Sequence, residues 1–142
     1  MNTVSRPSML VLMFVVATIV ASAQNFGDQA DPDVKKFELV IRGFLGGNDL
    51  TPVKTLILPE AYIVHGNSYE SLFNFLDKGS REKLFGDSKR TMNFFAVSMN
   101  DERTSAYVVI KTQAADKSDS RYETIVFVKS RSKGWQLCHW HV

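Results

Sequence analysis

Tyr122-Glu123-Thr124 and, beyond a basic turn, Lys133-Gly134-Trp135-Gln136-Leu137-Cys138-His139-Trp140-His141 decide how this chain is read. Two runs rich in β-branched and aromatic residues, Arg121 to Lys129 and Trp135 to Val142, flank the turn-like cluster Ser130 to Gly134, which is the pattern of a β-hairpin. Side chains alternate along a strand. His139 and His141 are therefore expected on one side, together with Trp135 and Leu137, with Cys138 on the other. Register decides what they meet, because a slip of one residue swaps the whole facing set. With Val128 opposite Trp135, Thr124 faces His139 and Tyr122 faces His141. With Phe127 opposite Trp135, Glu123 and Arg121 take those places and a carboxylate–imidazole pair results. The first arrangement is preferred, because Tyr122, Thr124, Val126 and Val128 form the more apolar stripe and a core-facing stripe should be apolar. Tyr122, Thr124, Trp135, His139 and His141 are accordingly the candidates for lining a mostly apolar ligand pocket with a few convergent polar groups, the other reading of the two histidines being packed, hydrogen-bonded supports of the hairpin.

Two further strands precede the hairpin, Thr91 to Met99 and Ser105 to Thr112, set off by turn-like residues at Asn100 to Arg103 and Ala115 to Ser120. Such short connections imply antiparallel neighbours. Both faces of these strands are apolar: Met92, Phe94 and Ala96 against Phe95, Val97 and Met99, then Tyr107 and Val109 against Ala106, Val108 and Ile110. Helices cover only one face of a sheet, so part of the other is expected to meet a second surface, most simply another subunit.

The first half reads as helical. Asp31 caps and Pro32 suits a first turn, and Val34, Phe37, Ile41, Phe44 and Leu45 recur at helical spacing until Gly46-Gly47. A short helix from Thr51-Pro52 buries Val53, Leu56 and Ile57, and a brief strand from Tyr62 to Val64 closes at Gly66. Ser68 caps a third helix carrying Leu72, Phe73 and Leu76 as far as Gly79. The charges between Lys78 and Arg90 read as a solvated surface. Helices first and a meander afterwards is the order of an α+β fold.

The 142 residues are 44% hydrophobic and 23% charged, an ordinary balance for one domain, which excludes collagen-like, disordered and multi-domain chains. Arg6 and Pro7 precede the apolar run Met9 to Val20, followed by Ala21-Ser22-Ala23 and the polar Gln24. These are the parts of a cleaved secretory signal over residues 1–23, shorter than a usual membrane span, with an uncleaved anchor as the alternative. The mature chain is expected in the periplasm or outside the cell. Residues 24–30 read as a disordered lead-in, and 31–142 as the folded domain. Loss of Arg6 with the leader lowers the formal charge from +2 to +1, so no electrostatic case exists for nucleic acid. Cys138 is the single cysteine and cannot build a disulfide framework. No phosphate loop, nucleophile elbow or paired cysteine motif calls for a cofactor. His139 and His141 supply two metal ligands at most, and a third from His65 or Glu123 would be needed, so no metal is assigned.

The form Trp-x-x-x-His-aromatic-His after a basic, glycine-bearing turn resembles the closing hairpin of the nuclear transport factor 2-like superfamily. Within it, the hairpin is similar to the SnoaL-like domains and to the association domain of calcium/calmodulin-dependent protein kinase II. The resemblance spans Asp31 to Val142, with residue matches confined to the closing hairpin. It implies a cone-shaped, curved antiparallel sheet wrapped around N-terminal helices, a cavity at the open end, and copies that pair through their sheets. Where the kinase association domain turns arginines into its cavity, the nearest positions here are Val109, Ile125 and Val142, with Lys111 or Arg121 as substitutes. The reading that results is a secreted module that binds a small, mainly apolar ligand or a partner, as a homodimer. An isomerase-like or dehydratase-like enzyme using His139 or His141 as acid–base, and a pure oligomerisation module, are the alternatives.

Overall fold

The computed structural model describes residues 25–26, 30–46, 51–76, 82 and 90–142. The leader, Gly47, Gly79 and most of the charged stretch before Arg90 lie outside the described residues.

Helix α1 (Pro32–Gly46) begins where the side chain of Asp31 accepts the backbone N–H of Asp33 at 2.8 Å, satisfying one of the free donors of the first turn. Arg103 braces that end, donating to both Asp31 and Asp33, and its hydrogen bond to Asp31 holds the Asp31 carboxyl below the ordinary carboxylate range. Val34, Phe37, Val40, Ile41, Phe44 and Leu45 fall at three- and four-residue spacing and are all buried. Against this stripe the described residues form a seven-stranded sheet: β1 (Asn25–Phe26), β2 (Ile57–His65), β3 (Ser68–Ser71), β4 (Arg90–Met99), β5 (Ser105–Ala114), β6 (Ser120–Ser130) and β7 (Gly134–His141). The order is β1-β4-β5-β6-β7-β2-β3, so the sheet is open, with β1 and β3 as its edges. The meander β4 to β7 is antiparallel, as its short turns require, whereas β1 joins β4 and β2 joins β7 in parallel. The expected antiparallel sheet is thus mixed. The segment expected as a disordered lead-in contributes β1, opposite Phe95 and Ala96.

Between α1 and the meander, tertiary pairing overrides local signals. The helix at Thr51 is one turn, α2 (Thr51–Lys54), and Ile57 already belongs to β2. The cause is β7: the N–H of Leu137 donates to the carbonyl of Leu56 at 2.8 Å and Ile57 pairs with Leu137. Pro59 is accommodated because the β2–β7 register shifts between Ile57 and Tyr62. Ser68, read as a helix cap, instead starts β3, which returns on β2 through a turn at Gly66 with φ +56°, and the following helix α3 (Leu72–Phe75) is short. Arg90 departs most from its reading as a solvated charge. It is 6% exposed and begins β4 inside the molecule.

Aromatic rings join helix to sheet on the inner face. Phe37 stacks on Phe127 with ring centres 4.6 Å apart and meets the edge of Trp135 at 4.9 Å, while Phe44 lies 4.6 Å from Trp140 and 6.0 Å from Phe75. The β6–β7 turn ends on Gly134 at φ +73°, a left-handed conformation that costs a side-chain-bearing residue roughly 1–2 kcal/mol. Gly134→Ala is expected to lower stability by about that amount in urea denaturation, through backbone strain alone. A Cβ there would meet nothing nearer than the Lys36 Nζ, at 3.8 Å.

Candidate functional site

A single extra residue in β7 sets what the closing hairpin presents. Lys129 lies opposite Trp135 and Phe127 opposite Leu137. The register then shifts, and Val126 faces His139, Ile125 faces Trp140 and Thr124 faces His141. Cys138 is the inserted residue of this bulge. The two expected registers are both displaced. Trp135, Leu137 and Trp140 point inward and are at most 2% exposed, while His139 and His141 point to the outer face, away from Trp135 and Leu137.

On that outer face His139 stacks on Tyr62 of β2 with ring centres 4.5 Å apart, and His141 lies 6.3 Å further along. Tyr62 in turn meets the edge of Tyr69 of β3 at 6.3 Å. Tyr62, Val64, Gly66, Asn67, Ser68 and Tyr69 line an open groove of about 410 Å³ at the end of the β2–β3 hairpin. Thr124 and Tyr122 of β6 continue the surface, with the Lys111 ammonium 5.6 Å from the Tyr122 ring centre. Four tyrosines are solvent-exposed here: Tyr62 (41%), Tyr69 (78%), Tyr107 (58%) and Tyr122 (64%). Of the pocket candidates, Tyr122, Thr124, His139 and His141 therefore share one outer surface, and Trp135 is separated from them in the core. The Nε2 of His139 is shielded from solvent and finds no hydrogen-bond partner among the described residues. Burial, and then the neighbouring His141, hold the pKa of His139 below the ordinary histidine value. Burial and then Glu60 push the Cys138 thiol up, away from nucleophilic character.

The inner face holds a second polar group. Glu123 is 1% exposed, and it accepts from the Thr112 hydroxyl at 2.6 Å, the Trp140 indole N–H at 2.7 Å and the Arg121 Nε at 3.2 Å. Arg90 donates to Thr112 at 3.0 Å and pairs with Asp119 at 2.7 Å, closing a chain of charge-assisted bonds across β4, β5, β6 and β7. Glu123 and Arg121 thus lie on the opposite side of the sheet from both histidines, and no carboxylate–imidazole pair forms there. The third histidine, His65, pairs with Glu70 at 3.4 Å. Among the described residues no three metal-ligating side chains converge, and no helix is long and apolar enough to cross a membrane.

No family model matches this chain, and no curated protein matches it by sequence. Solved structures match it by shape. A protein from Shewanella frigidimarina, provisionally named a ketosteroid isomerase, superposes with a TM-score of 0.58 at 20% identity, over 83% of this chain and 98% of that one. A nuclear transport factor 2-like superfamily protein from Salmonella enterica gives 0.52 at 19% identity, over 76% and 87%. The fold is nuclear transport factor 2-like. The calcium/calmodulin-dependent protein kinase II hub of S. rosetta shares it, with a TM-score of 0.50 at 21% identity over 80% of this chain and 97% of that one.

Within the nuclear transport factor 2-like fold, the residues that spacing alone did not single out are Tyr62, Tyr69, Arg90 and Thr112. Tyr62 reaches His139 only through the parallel β2–β7 pairing, a contact between residues far apart in sequence. Glu123 did carry a signal: it is two residues from Ile125 and four from Phe127, on the stripe that proved to be the buried one.

Proposed function

We propose that this chain is an exported binding and assembly module whose outer sheet face pairs with a second copy. The reading rests on one observation, the aromatic outer face left uncovered by any described element of its own chain. The exposed parts of its four tyrosines amount to roughly 400–500 Å², more than half of the ~800 Å² that each partner buries in a stable complex. Val109, Val126 and Val128 fill the space between them, half-buried, and the surface is enriched in the residues that anchor interfaces. A neighbour in fold is named a hub, which favours assembly. The groove beside Tyr62 and Tyr69 suits a small, mainly apolar guest at the rim of the same surface. The leader over residues 1–23 supports export. An acid–base role for His139 or His141 finds less support, since neither imidazole has a carboxylate to orient it among the described residues.

Sedimentation velocity on the exported protein is expected to show twice the chain mass at micromolar concentration. Tyr107→Glu, which places a charge at the middle of the face without touching the core, is expected to weaken pairing by at least about a hundredfold. A wild-type chain that sediments as a monomer throughout overturns the reading.

A further inference from the structure

Resting on the outer face as a self-pairing surface, we propose that His139 and His141 make that pairing pH-sensitive, holding the copies together as neutral rings and separating them when protonated. The two rings lie side by side, centres 6.3 Å apart, and His139 is stacked under Tyr62. Neutral, they extend the aromatic surface. Protonated, they place two like charges within one contact, on a face that pairing must strip of water.

Among the described residues neither ring is ion-paired or hydrogen-bonded to a carboxylate. From β2 the histidines are faced by Tyr62 and Val64, from β6 by Val126 and Thr124, with Tyr122 beyond, and from β3 by Tyr69 behind Tyr62. The charged residue placed on this face by β5 is Lys111, itself positive. Glu60 of β2 reaches the neighbouring Cys138 thiol, while Glu70 pairs with Ile63 and so lies on the opposite side of β3, beside His65. The sequestered Nε2 of His139 adds a second obstacle, because a protonated ring would carry an N–H there with no acceptor. A two-fold pair repeats the same patch on both copies, so each positive pair would meet a face that is positive too.

The sign follows from which state takes up protons. His139 is held below its ordinary value of 6.5 already in the single chain, and further burial by a second copy acts in the same direction. Separated chains therefore bind more protons than paired ones, and pairing weakens as pH falls through and below about 6.5.

Sedimentation velocity on the whole exported chain at pH 8 and pH 5.5, with circular dichroism to verify that the fold persists, tests this. The expected result is a loss of at least about tenfold in pairing affinity at pH 5.5, abolished in the double variant His139→Gln, His141→Gln. If the double variant does not fold, His141→Gln alone, at an exposed ring, is expected to reduce the loss severalfold, and an undiminished loss overturns the proposal. Pairing that is equally tight at both pH values also overturns it and leaves self-pairing intact. A monomer already at pH 8 overturns the self-pairing reading itself.

Discussion

Phe37→Ala is expected to lower the free energy of unfolding by about 3–5 kcal/mol. Phe37 is fully buried and is the ring through which α1 touches two strands at once, stacked on Phe127 of β6 and edge-on to Trp135 of β7. Truncation removes the transfer energy of the ring and also leaves a void, because a helix held at both ends by Phe44 and by the Asp31–Arg103 contact cannot settle into the space. Against a typical total of about 5–15 kcal/mol for a domain, the loss leaves a marginal fold. Leu39→Ala on the same helix, at a side chain 72% exposed, is expected to stay within about 0.5 kcal/mol. Urea denaturation followed by tryptophan fluorescence measures both. Equal effects from the two substitutions would mean that α1 is not held to the sheet by this face.

The same helix was legible from sequence because its cap, proline and apolar period all agree. The four strands of the meander were legible for a related reason: each connection is short, so the partner of every strand is its neighbour in sequence. Legibility stopped where a partner comes from elsewhere in the chain. Residues 57–71 carry a proline, a glycine and a serine that favour breaks and caps locally, yet the parallel edge of β7 draws them into β2 and β3. In β7 one bulged residue was enough to reverse the outcome. Alternation from Trp135 places the histidines inside, and the insertion at Cys138 puts Trp140 there instead. The one trace of the bulge in the spacing is the three-residue interval between the apolar side chains of Leu137 and Trp140, which simple alternation does not read. The candidate residues Tyr122, Thr124, His139 and His141 were thus expected on the face opposite to the one they occupy. Arg90 escaped because its partners, Thr112 on β5 and Asp119 just before β6, are distant in sequence, and a buried arginine is indistinguishable in sequence from an exposed one.

Glu123 carries the other large expected effect. An apolar stripe was preferred for the core side of β6, and the stripe that is buried contains a carboxylate, so that carboxylate is satisfied by something worth more than its desolvation. Its three donors supply that, and all use it as an acceptor: Thr112 on β5, Arg121 on β6 and Trp140 on β7. Glu123→Ala removes at once the carboxylate that accepts from a buried indole N–H, a buried hydroxyl and a guanidinium, and is expected to cost about 3–5 kcal/mol. Glu123→Gln keeps the shape but turns one acceptor into an N–H2 that must point at a donor, for an expected loss of about 1–3 kcal/mol. Glu123→Gln keeps the volume and changes only the donors and acceptors, so its loss reports the polar part, and the further loss in Glu123→Ala adds the cavity and the last acceptor. A double-mutant cycle of Glu123→Gln with Trp140→Phe isolates the bond between them, and a coupling of about 1–3 kcal/mol is expected for contacting members of one buried network. Additivity within about 0.5 kcal/mol would mean that Glu123 is held by β5 and β6 alone. In that case the bulge at Cys138, which is what turns Trp140 toward the carboxylate, would be fixed by packing against Phe44 and not by the polar network.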